Sequence, residues 1–293
     1  MKRVGDSPLL RRLAEARPLL LDGAMGTALL ERGLSLPHED AISWSLTRPE
    51  VVLEIHRAHV QAGAALVLAN TFGARVPTAI EMSAAIALAR ESGAAWIGVP
   101  LWPGLPGRSF AEAVRTVSSA GQGGDVLWLE TAMQLADAER ALRIAREETD
   151  LPIAITLALA AFPASPLASG VNTLKENLAA LIEQGAAIVG LNCGPWELEP
   201  APARTRTLAS HGCAALAPDQ RALSPALDLA ALVSELTREL CVPFAIKPDA
   251  GQRDPGAWAQ AVAAAVGAGA KLAGGCCGTG AVHLEALRGA LAI

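Results

Sequence analysis

The sequence contains no tyrosine, and aromatic residues make up only 3% of its 293 residues. Charged residues account for 18%, and the formal net charge is -5, so the basic surface of a nucleic-acid-binding protein is missing. The most apolar window, residues 257–275, is rich in Ala and Gly and contains Gln and Lys, and no signal peptide is recognisable. We therefore expect a cytoplasmic protein without nucleic-acid or membrane partners.

Several common catalytic motifs are also missing. The chain has no P-loop, no Gly-x-Gly-x-x-Gly after a strand, no HExxH and no Gly-x-Ser-x-Gly. These absences exclude the usual signatures of phosphate-loop enzymes, dinucleotide-binding folds, zinc proteases and serine hydrolases. The five cysteines favour metal binding or catalysis over disulfides, because the cytoplasm keeps thiols reduced.

Hydrophobic residues make up 52% of the chain, which is enough for a large buried core. Short apolar runs bounded by Gly, Pro or Asp recur along it, and most are apolar on both faces, as is typical of buried parallel strands. These eight predicted strands lie within residues 18–23, 64–73, 94–100, 125–131, 152–159, 187–194, 242–251 and 271–278.

Helical segments with apolar spacing near 3.6 residues lie between the predicted strands, and several end on Gly. They cover residues 49–63, 78–93, 134–148, 173–185, 226–240 and 255–269. This alternation predicts a single-domain α/β protein, a (β/α)8 TIM barrel over residues 1–293, with a doubly wound open sheet as the alternative. Residues 24–48 and 195–225 exceed the minimal repeat, and we interpret both as substrate-covering loops on the catalytic face.

Polar side chains cluster where the predicted strands end. Because the carboxyl ends of barrel strands converge on one mouth, these side chains are expected to share a single site. They are Asp22, Asn70, Thr71, Glu130, Thr131, Asn192, Cys193, Lys247, Asp249, Cys276 and Cys277.

Three of these residues, Cys193, Cys276 and Cys277, form a candidate metal site. Three thiolates suit Zn²⁺ and leave a fourth tetrahedral position open, which is typical of catalytic zinc. Successive side chains of a regular strand point to opposite faces, so the glycines of GGCCGTG (274–280) are expected to bend the chain until both thiols face one ion. Buried structural cysteines or a vicinal disulfide are the alternatives.

The remaining candidates have other interpretations. Cys241 is expected to be a buried structural residue at the opposite end of a strand, and Cys213 is expected to be unliganded although His211 is nearby. Asp22 and Glu130 could be strand-end caps, just as Asn70 and Asn192 are plausible turn residues. Lys247 is either a Schiff-base nucleophile, a cation that opposes a substrate carboxylate, or an outward-pointing side chain.

Six segments in a fixed order carry a family resemblance. They are LLLDGAMGTALLERGL, EIHRAHVQAGAALVLANTFGA, DVLWLETA, VGLNCGP, KPDAGQ and GGCCGTG. Together they resemble the homocysteine S-methyltransferase family over residues 18–290. The departures are His59 where the family often has Tyr, AWIGVP (95–100) where GSIGP is usual, and Asp249 where Asn is usual.

The resemblance implies a zinc enzyme that transfers a methyl group to the thiolate of homocysteine and so produces methionine. It implies that Cys193, Cys276 and Cys277 hold Zn²⁺ and that homocysteine supplies its sulfur to the metal. Asp22 and Gly23 match the segment that holds the amino-acid end of homocysteine, and Glu130 matches the carboxylate that meets its amino group. The expected substrate-binding residues are Asp22, Gly23, Asn70, Thr71, Glu130 and Asn192, with no catalytic group beyond the zinc-activated thiolate.

The methyl donor is expected to be a small sulfonium, either S-methylmethionine or S-adenosylmethionine. No folate or cobalamin domain is recognised in the chain, so a corrinoid donor would come from a partner protein, as in a split methionine synthase. Betaine ranks third because its recognition usually needs an aromatic cage, for which Trp44, Trp96, Trp102 and Trp196 are the candidates near the mouth. The alternatives from other classes are a Lys247 Schiff-base lyase or aldolase and a non-catalytic zinc- or thiol-binding barrel.

Overall fold

Eight parallel strands alternate with helices in the computed structural model, which describes residues 7–36, 38–119, 123–159, 168–194, 228–251 and 253–293. The predicted (β/α)8 barrel is therefore confirmed. The strands are β1 (Leu19–Leu20), β2 (Leu66–Leu68), β3 (Trp96–Leu101), β4 (Val126–Ala132), β5 (Ile153–Ala158), β6 (Ile188–Asn192), β7 (Phe244–Lys247) and β8 (Leu272–Ala273).

The described ranges contain eleven α-helices and one 3₁₀ turn, Ala41–Ser43. The helices are α1 (Pro8–Leu13), α2 (Met25–Glu31), α3 (Trp44–Thr47), α4 (Pro49–Gln61), α5 (Ala79–Glu91), α6 (Gly107–Ser119), α7 (Leu135–Glu148), α8 (Ala168–Glu183), α9 (Leu229–Thr237), α10 (Pro255–Gly267) and α11 (Ala281–Leu291). None of them combines the length and apolar content that a bilayer-spanning helix needs.

Glycine ends several helices in the way that the sequence indicates. The glycines that follow α4, α5, α8 and α10 all adopt positive φ, the left-handed conformation in which glycine has no Cβ penalty. They are Gly63, Gly93, Gly185 and Gly269, with φ of 116°, 87°, 100° and 126°. Each lies between its helix and the strand that follows, so glycine forms four of the helix-to-strand turns.

The sheet closes through β1. The strand order is β1-β8-β7-β6-β5-β4-β3-β2, and an isolated parallel bridge between Leu21 and Leu66 joins the two ends. A buried side chain strengthens this short seam, because Asp22 Oδ2 accepts a hydrogen bond from the backbone amide of Leu68 at 2.7 Å. A carboxylate thus satisfies a buried amide that has no ladder partner there.

The strand period places the functional side chains inside the barrel. Alternate residues of a strand share a face, so Glu130 lies on the same face of β4 as Val126 and Trp128, which belong to the inner core. In the same way, Lys247 shares a face of β7 with Ala245 of the inner core. Asn192, at the end of β6, shares a face with Ile188. Leu9 and Leu13 of α1 join the inner cluster, so α1 covers the end of the barrel opposite these polar groups.

The excursion at residues 24–48 folds into α2, the 3₁₀ turn and α3. Leu29, Trp44, Val52 and Ile55 form a separate apolar cluster that packs the excursion against α4. Its position near the carboxyl ends of the strands agrees with the expectation of a loop on the catalytic face, because Asn70 after β2 contacts it directly. The second predicted excursion, residues 195–225, lies outside the described residues.

Candidate active site

Three thiols and one carboxylate meet at the carboxyl ends of β6, β7 and β8. The ligand atoms of Cys193, Asp249, Cys276 and Cys277 all lie within 4.8 Å of one another. No disulfide joins the four described cysteines, so the vicinal disulfide considered from the sequence is not formed. The predicted convergence of the three cysteines is therefore present, with the addition of Asp249.

The residues of this cluster fit a zinc ion. Thiolate and carboxylate donors are both found in protein zinc sites, and three sulfurs favour zinc over magnesium or calcium. Asp249 Oδ2 accepts from the amide of Gly194 at 3.0 Å, whereas its buried Oδ1 has no hydrogen-bond partner among the described residues. Burial and then the negative charge of Cys276 raise the pKa of Asp249 well above that of an ordinary carboxyl group. A cation at the cluster would relieve both features.

The pKa of Cys276 shows the same need for positive charge. A hydrogen bond with Cys193 lowers the pKa of Cys276. The hydrogen bond with Cys277, burial, and the negative charges of Cys277 and Glu130 all raise this pKa, and together they outweigh the first effect. The net pKa lies well above that of a free thiol, so the cluster disfavours thiolates while it holds no cation. Metal binding reverses this preference because it deprotonates coordinated thiols.

The glycines of GGCCGTG bring the two adjacent cysteines into the cluster. The strand β8 ends at Ala273, and a Cβ on Gly274 would lie 2.6 Å from the carbonyl oxygen of Asp22. Only glycine permits this approach of β8 to the seam. Gly278 has φ of +79°, and a Cβ there would lie 2.6 Å from a backbone atom of Gly251. The chain therefore turns directly after the cysteines and packs on the loop that follows β7.

Two other site positions have strained backbone. Thr131 and Cys193 are non-glycine residues with positive φ, 60° and 49°, and a β-branched residue is rare in this region. The register between β4 and β5 shifts between Leu129 and Ala132, so Thr131 lies in a bulge-like irregularity. Such strain persists when surrounding contacts hold it, and it is concentrated at functional sites.

Asn192 joins the strained segment to the thiol cluster. Its Nδ2 donates to Thr131 Oγ1 at 2.7 Å and approaches Cys276 Sγ at 3.9 Å. Its Oδ1 is buried and has no hydrogen-bond partner among the described residues. An unpartnered buried acceptor beside the thiols is suited to a ligand donor.

A buried charge network lies in the same mouth. Lys247 Nζ is 3.0 Å from Glu130 Oε1 and 3.3 Å from Asp22 Oδ1, and all three side chains are largely buried. Burial alone lowers the pKa of Lys247, but the charges of Glu130 and Asp22 outweigh it, so the net pKa is raised. A Schiff-base nucleophile needs a neutral amine with a lowered pKa. The structure therefore argues against the lyase or aldolase alternative.

Lys247 was expected at this mouth with three alternative roles, whereas no sequence motif pointed to His56. His56 and His59 lie on α4, are buried, and have side-chain nitrogens without partners among the described residues. Burial lowers the pKa of both, that of His56 to about 4, although the charge of Asp22 acts in the opposite direction.

A Cβ on Gly23 would lie 2.4 Å from the carbonyl oxygen of Thr279, so this position requires glycine.

Other expected residues contact the protein itself. Asn70 Nδ2 donates to the carbonyl oxygen of Ala41 and to Ser45 Oγ, which fastens the excursion to β2, and Thr71 Oγ1 donates to the carbonyl oxygen of Pro100. These contacts use the donors that Asn70 and Thr71 would offer to a substrate.

Cys241 was expected to be buried and is exposed, because it lies in the turn before β7 rather than in the strand. It is not part of the candidate metal cluster, as expected. His211, Cys213 and Trp196 lie outside the described residues.

The fold and this cluster define a class: a (β/α)8 barrel with three thiols and a carboxylate gathered at its mouth. The profile of the homocysteine S-methyltransferase family matches residues 19–96 and 107–291. The chain belongs to that family, as its sequence segments predicted.

Individual relatives resemble this chain in sequence or in fold. The methionine synthase of Mycobacterium leprae is 27% identical over 339 aligned residues, which include 98% of this chain and 25% of the relative. The chain thus spans about a quarter of the length of that curated relative. The metallated homocysteine methyltransferase MmuM of Escherichia coli superposes with a TM-score of 0.70 at 20% identity, covering 96% of this chain and 99% of that one. Its apo form gives a TM-score of 0.66 at 20% identity, covering 98% and 100%.

Proposed function

We propose that this chain methylates the sulfur of homocysteine to give methionine, with Zn²⁺ held by Cys193, Cys276 and Cys277. The observation that carries the proposal is the thiol cluster, which lies in the same mouth as the buried Lys247–Glu130 pair. One part of this arrangement suits a thiol-activating metal, and the other suits the charged end of an amino acid. Family membership and the names of the relatives support the same reaction.

The bound metal would ionise the acceptor thiol and keep its sulfur nucleophilic at neutral pH. Asp249 is a further oxygen donor beside the three cysteines and would be available to the metal when no acceptor is present. Glu130 would hold the acceptor's ammonium, and the buried Oδ1 of Asn192 would accept a second hydrogen bond from it. These contacts would fix the sulfur relative to the donor, so that the reaction gains from orientation.

A sulfonium donor balances the reaction without a further co-reactant. The sulfur of homocysteine supplies the electron pair of the new S–CH3 bond. The donor's S–CH3 bond breaks, its electron pair stays with the donor sulfur, and the donor leaves as a neutral thioether. The thiol proton is lost to solvent. S-methylmethionine and S-adenosylmethionine are both donors of this type.

Betaine ranks last because the described tryptophans do not form a cage at the mouth. Trp44 is packed in the cluster with α4, and Trp96 begins β3 at the opposite end of the barrel, contrary to the sequence-based expectation. Trp102, which follows β3, is half-buried against the outer core. A trimethylammonium group would need several aromatic faces around it.

Metal analysis tests the proposal. The wild-type chain should carry one zinc ion, and Cys193→Ser, Cys276→Ser and Cys277→Ser should each lose most of it and all measurable methionine formation. Cys241→Ser is the matched control and should keep both, because Cys241 is exposed and outside the cluster. Full zinc content in Cys276→Ser would contradict the three-cysteine site.

A second candidate function is the homocysteine-activating component of a corrinoid-dependent methionine synthase. The similarity to the methionine synthase of Mycobacterium leprae favours it. A donor screen separates the two candidates: zinc-loaded protein and homocysteine are incubated with S-methylmethionine, S-adenosylmethionine, betaine or a methylated corrinoid. Methionine formed only with the corrinoid would replace the sulfonium assignment. We place either reaction in the cytoplasm, where the cluster thiols stay reduced.

A further inference from the structure

Lys247 has unused hydrogen-bonding capacity at a buried position. An ammonium group carries three N–H donors, and Lys247 directs two of them to Glu130 Oε1 and Asp22 Oδ1. Among the described residues, no further acceptor contacts Nζ. The side chain is 4% exposed, so bulk water does not readily supply the third acceptor. The third N–H of Lys247 is therefore a buried donor at the barrel mouth that a ligand acceptor could satisfy.

The two carboxylates of the network are not equivalent. Asp22 uses Oδ1 for Lys247 and Oδ2 for the amide of Leu68, so both of its oxygens have partners within the protein. Glu130 uses Oε1 for Lys247, and no donor among the described residues contacts Oε2. The Glu130 side chain is also the more exposed of the two, at 11% against 3%. Glu130 is thus the carboxylate that can receive a ligand cation, while Asp22 holds Lys247 and the barrel seam.

This pair has the spacing of an α-amino acid. The ammonium and carboxylate groups of such a ligand are attached to one carbon, so the two protein groups that bind them must be neighbours. Lys247 Nζ and Glu130 Oε1 are 3.0 Å apart. Among the described residues, Lys247 has one N–H without an acceptor, and Glu130 has Oε2 without a donor. The backbone carbonyl oxygen of Lys247 accepts a hydrogen bond from the amide of Cys193 at 3.2 Å, so the pair adjoins the thiol cluster.

We propose that Lys247 binds the carboxylate of the acceptor, so that the site selects α-amino acid thiols over amine thiols without a carboxylate. The inference rests on the proposed methyl transfer to homocysteine and specifies how its acceptor is chosen. The rival role for Lys247 is that of an internal counter-ion for Asp22 and Glu130. A counter-ion would leave the affinity for a thiol ligand independent of the ligand's own carboxylate.

The test compares two thiol ligands by calorimetry on the zinc-loaded full chain. 3-Aminopropane-1-thiol is homocysteine without its carboxylate. The wild-type protein should bind homocysteine roughly tenfold to a hundredfold more tightly, the range expected for a charge-assisted contact. In Lys247→Met this preference should shrink to less than about threefold, because the methionine side chain has similar length but neither charge nor donor. Lys271→Met, at the start of β8, is the matched control and should keep the wild-type preference.

Each result separates the two roles of Lys247. Equal affinity of the wild-type protein for both ligands would overturn the proposal, and so would an undiminished preference in Lys247→Met. If Lys247→Met does not fold, Lys247→Arg keeps the charge and should retain part of the preference, while the wild-type comparison still decides. Failure of the zinc-loaded wild-type protein to bind homocysteine would overturn the methyl-transfer function together with this inference. Normal methionine formation without carboxylate selectivity would overturn the inference alone.

Discussion

The barrel has a long-strand half and a short-strand half. The long-strand half comprises β3 to β6, with strands of five to seven residues. The short-strand half comprises β7, β8, β1 and β2, with strands of two to four residues. In the first half a regular ladder satisfies the backbone. In the second half the Asp22 side chain accepts from a backbone amide that has no ladder partner, and glycines allow the chain segments to approach closely.

The difference shows where this fold makes room for chemistry. Lys247, Asp249, Cys276 and Cys277 follow or end short strands, where the chain is free to turn toward the barrel axis. The long strands contribute to the site only at their last residues, where the backbone becomes irregular. Positive φ occurs there at Thr131 and Cys193. Regular pairing therefore supports the site, and departures from it direct the functional groups.

The largest expected effect comes from a matched pair of aspartates. Asp22 Oδ2 accepts from the amide of Leu68 at 2.7 Å in the short-strand half, and Asp125 Oδ2 accepts from the amide of Ile97 at 2.8 Å in the long-strand half. Asp22→Ala should lower the free energy of unfolding by about 3–5 kcal/mol, because it removes a charge-assisted hydrogen bond to Lys247 and leaves the buried amide of Leu68 without an acceptor. Asp125→Ala should cost about 1 kcal/mol, because Asp125 is 25% exposed and the ladder around it remains. Urea denaturation measures both, and equal losses would contradict the contrast.

A pH effect is expected from the helix that covers β1 and β2. The pKa of His56 is lowered by burial from 6.5 to about 4. Between pH 6.5 and 4, His56 is therefore mostly protonated in the unfolded chain and mostly neutral in the folded chain. Stability is full above pH 6.5 and falls as the pH drops toward 4, by up to about 3 kcal/mol for this group.

The substitution His56→Leu should flatten this dependence, since leucine cannot be protonated. Chemical denaturation at pH 7, 6 and 5 measures the slope for both proteins. His59, whose pKa is also lowered, stays in the variant and accounts for any residual slope. A variant with the full wild-type slope would show that His56 does not carry the effect.

The two halves also differ in how far the sequence predicts them. The prediction for residues 125–131 is close to the observed β4, Val126–Ala132, because a long apolar run with turn signals at both ends has one interpretation. Residues 271–278 were also predicted as a strand, but β8 covers only Leu272–Ala273. Apolar content does not show where backbone pairing stops, and this is decided by contacts with Asp22 and Gly251 from distant parts of the chain.

The candidate site shows the same limit. The convergence of the cysteines follows from strand order, so the sequence predicts it. The network around Lys247 does not follow from pattern, because Lys247 meets Glu130 from 117 residues away and Asp22 from 225 residues away. Pairing across such distances depends on rotamers that only the folded barrel selects. Glu130 and Lys247 were expected at one mouth, and the alternation of β4 and β7 would have added that both side chains lie on the inner face.

Two glycines of the heptapeptide GGCCGTG test whether close contacts define the short-strand half. Gly278→Ala places a Cβ at positive φ and 2.6 Å from the backbone of Gly251, so it should cost about 1–3 kcal/mol and reduce zinc content. Gly280→Ala meets no atom within 4 Å and should change stability by less than about 0.5 kcal/mol. Denaturation and metal analysis of both variants measure the difference. Similar behaviour of the two would mean that the turn after the cysteines tolerates a side chain.

The smallest expected effect concerns an ion pair on the outside of the long-strand half. Arg115 on α6 contacts Glu148 at 2.6 Å, but the two side chains are 55% and 25% exposed, so water and salt screen the pair. A double-mutant cycle with Arg115→Ala and Glu148→Ala should give a coupling of about 0.2–1 kcal/mol that declines in high salt. The same cycle on Lys247 and Glu130 should give a larger and salt-insensitive coupling, because both groups are buried. If the two couplings were equal, burial would not strengthen the charge network at the mouth, and the short-strand half would owe its rigidity to backbone contacts alone.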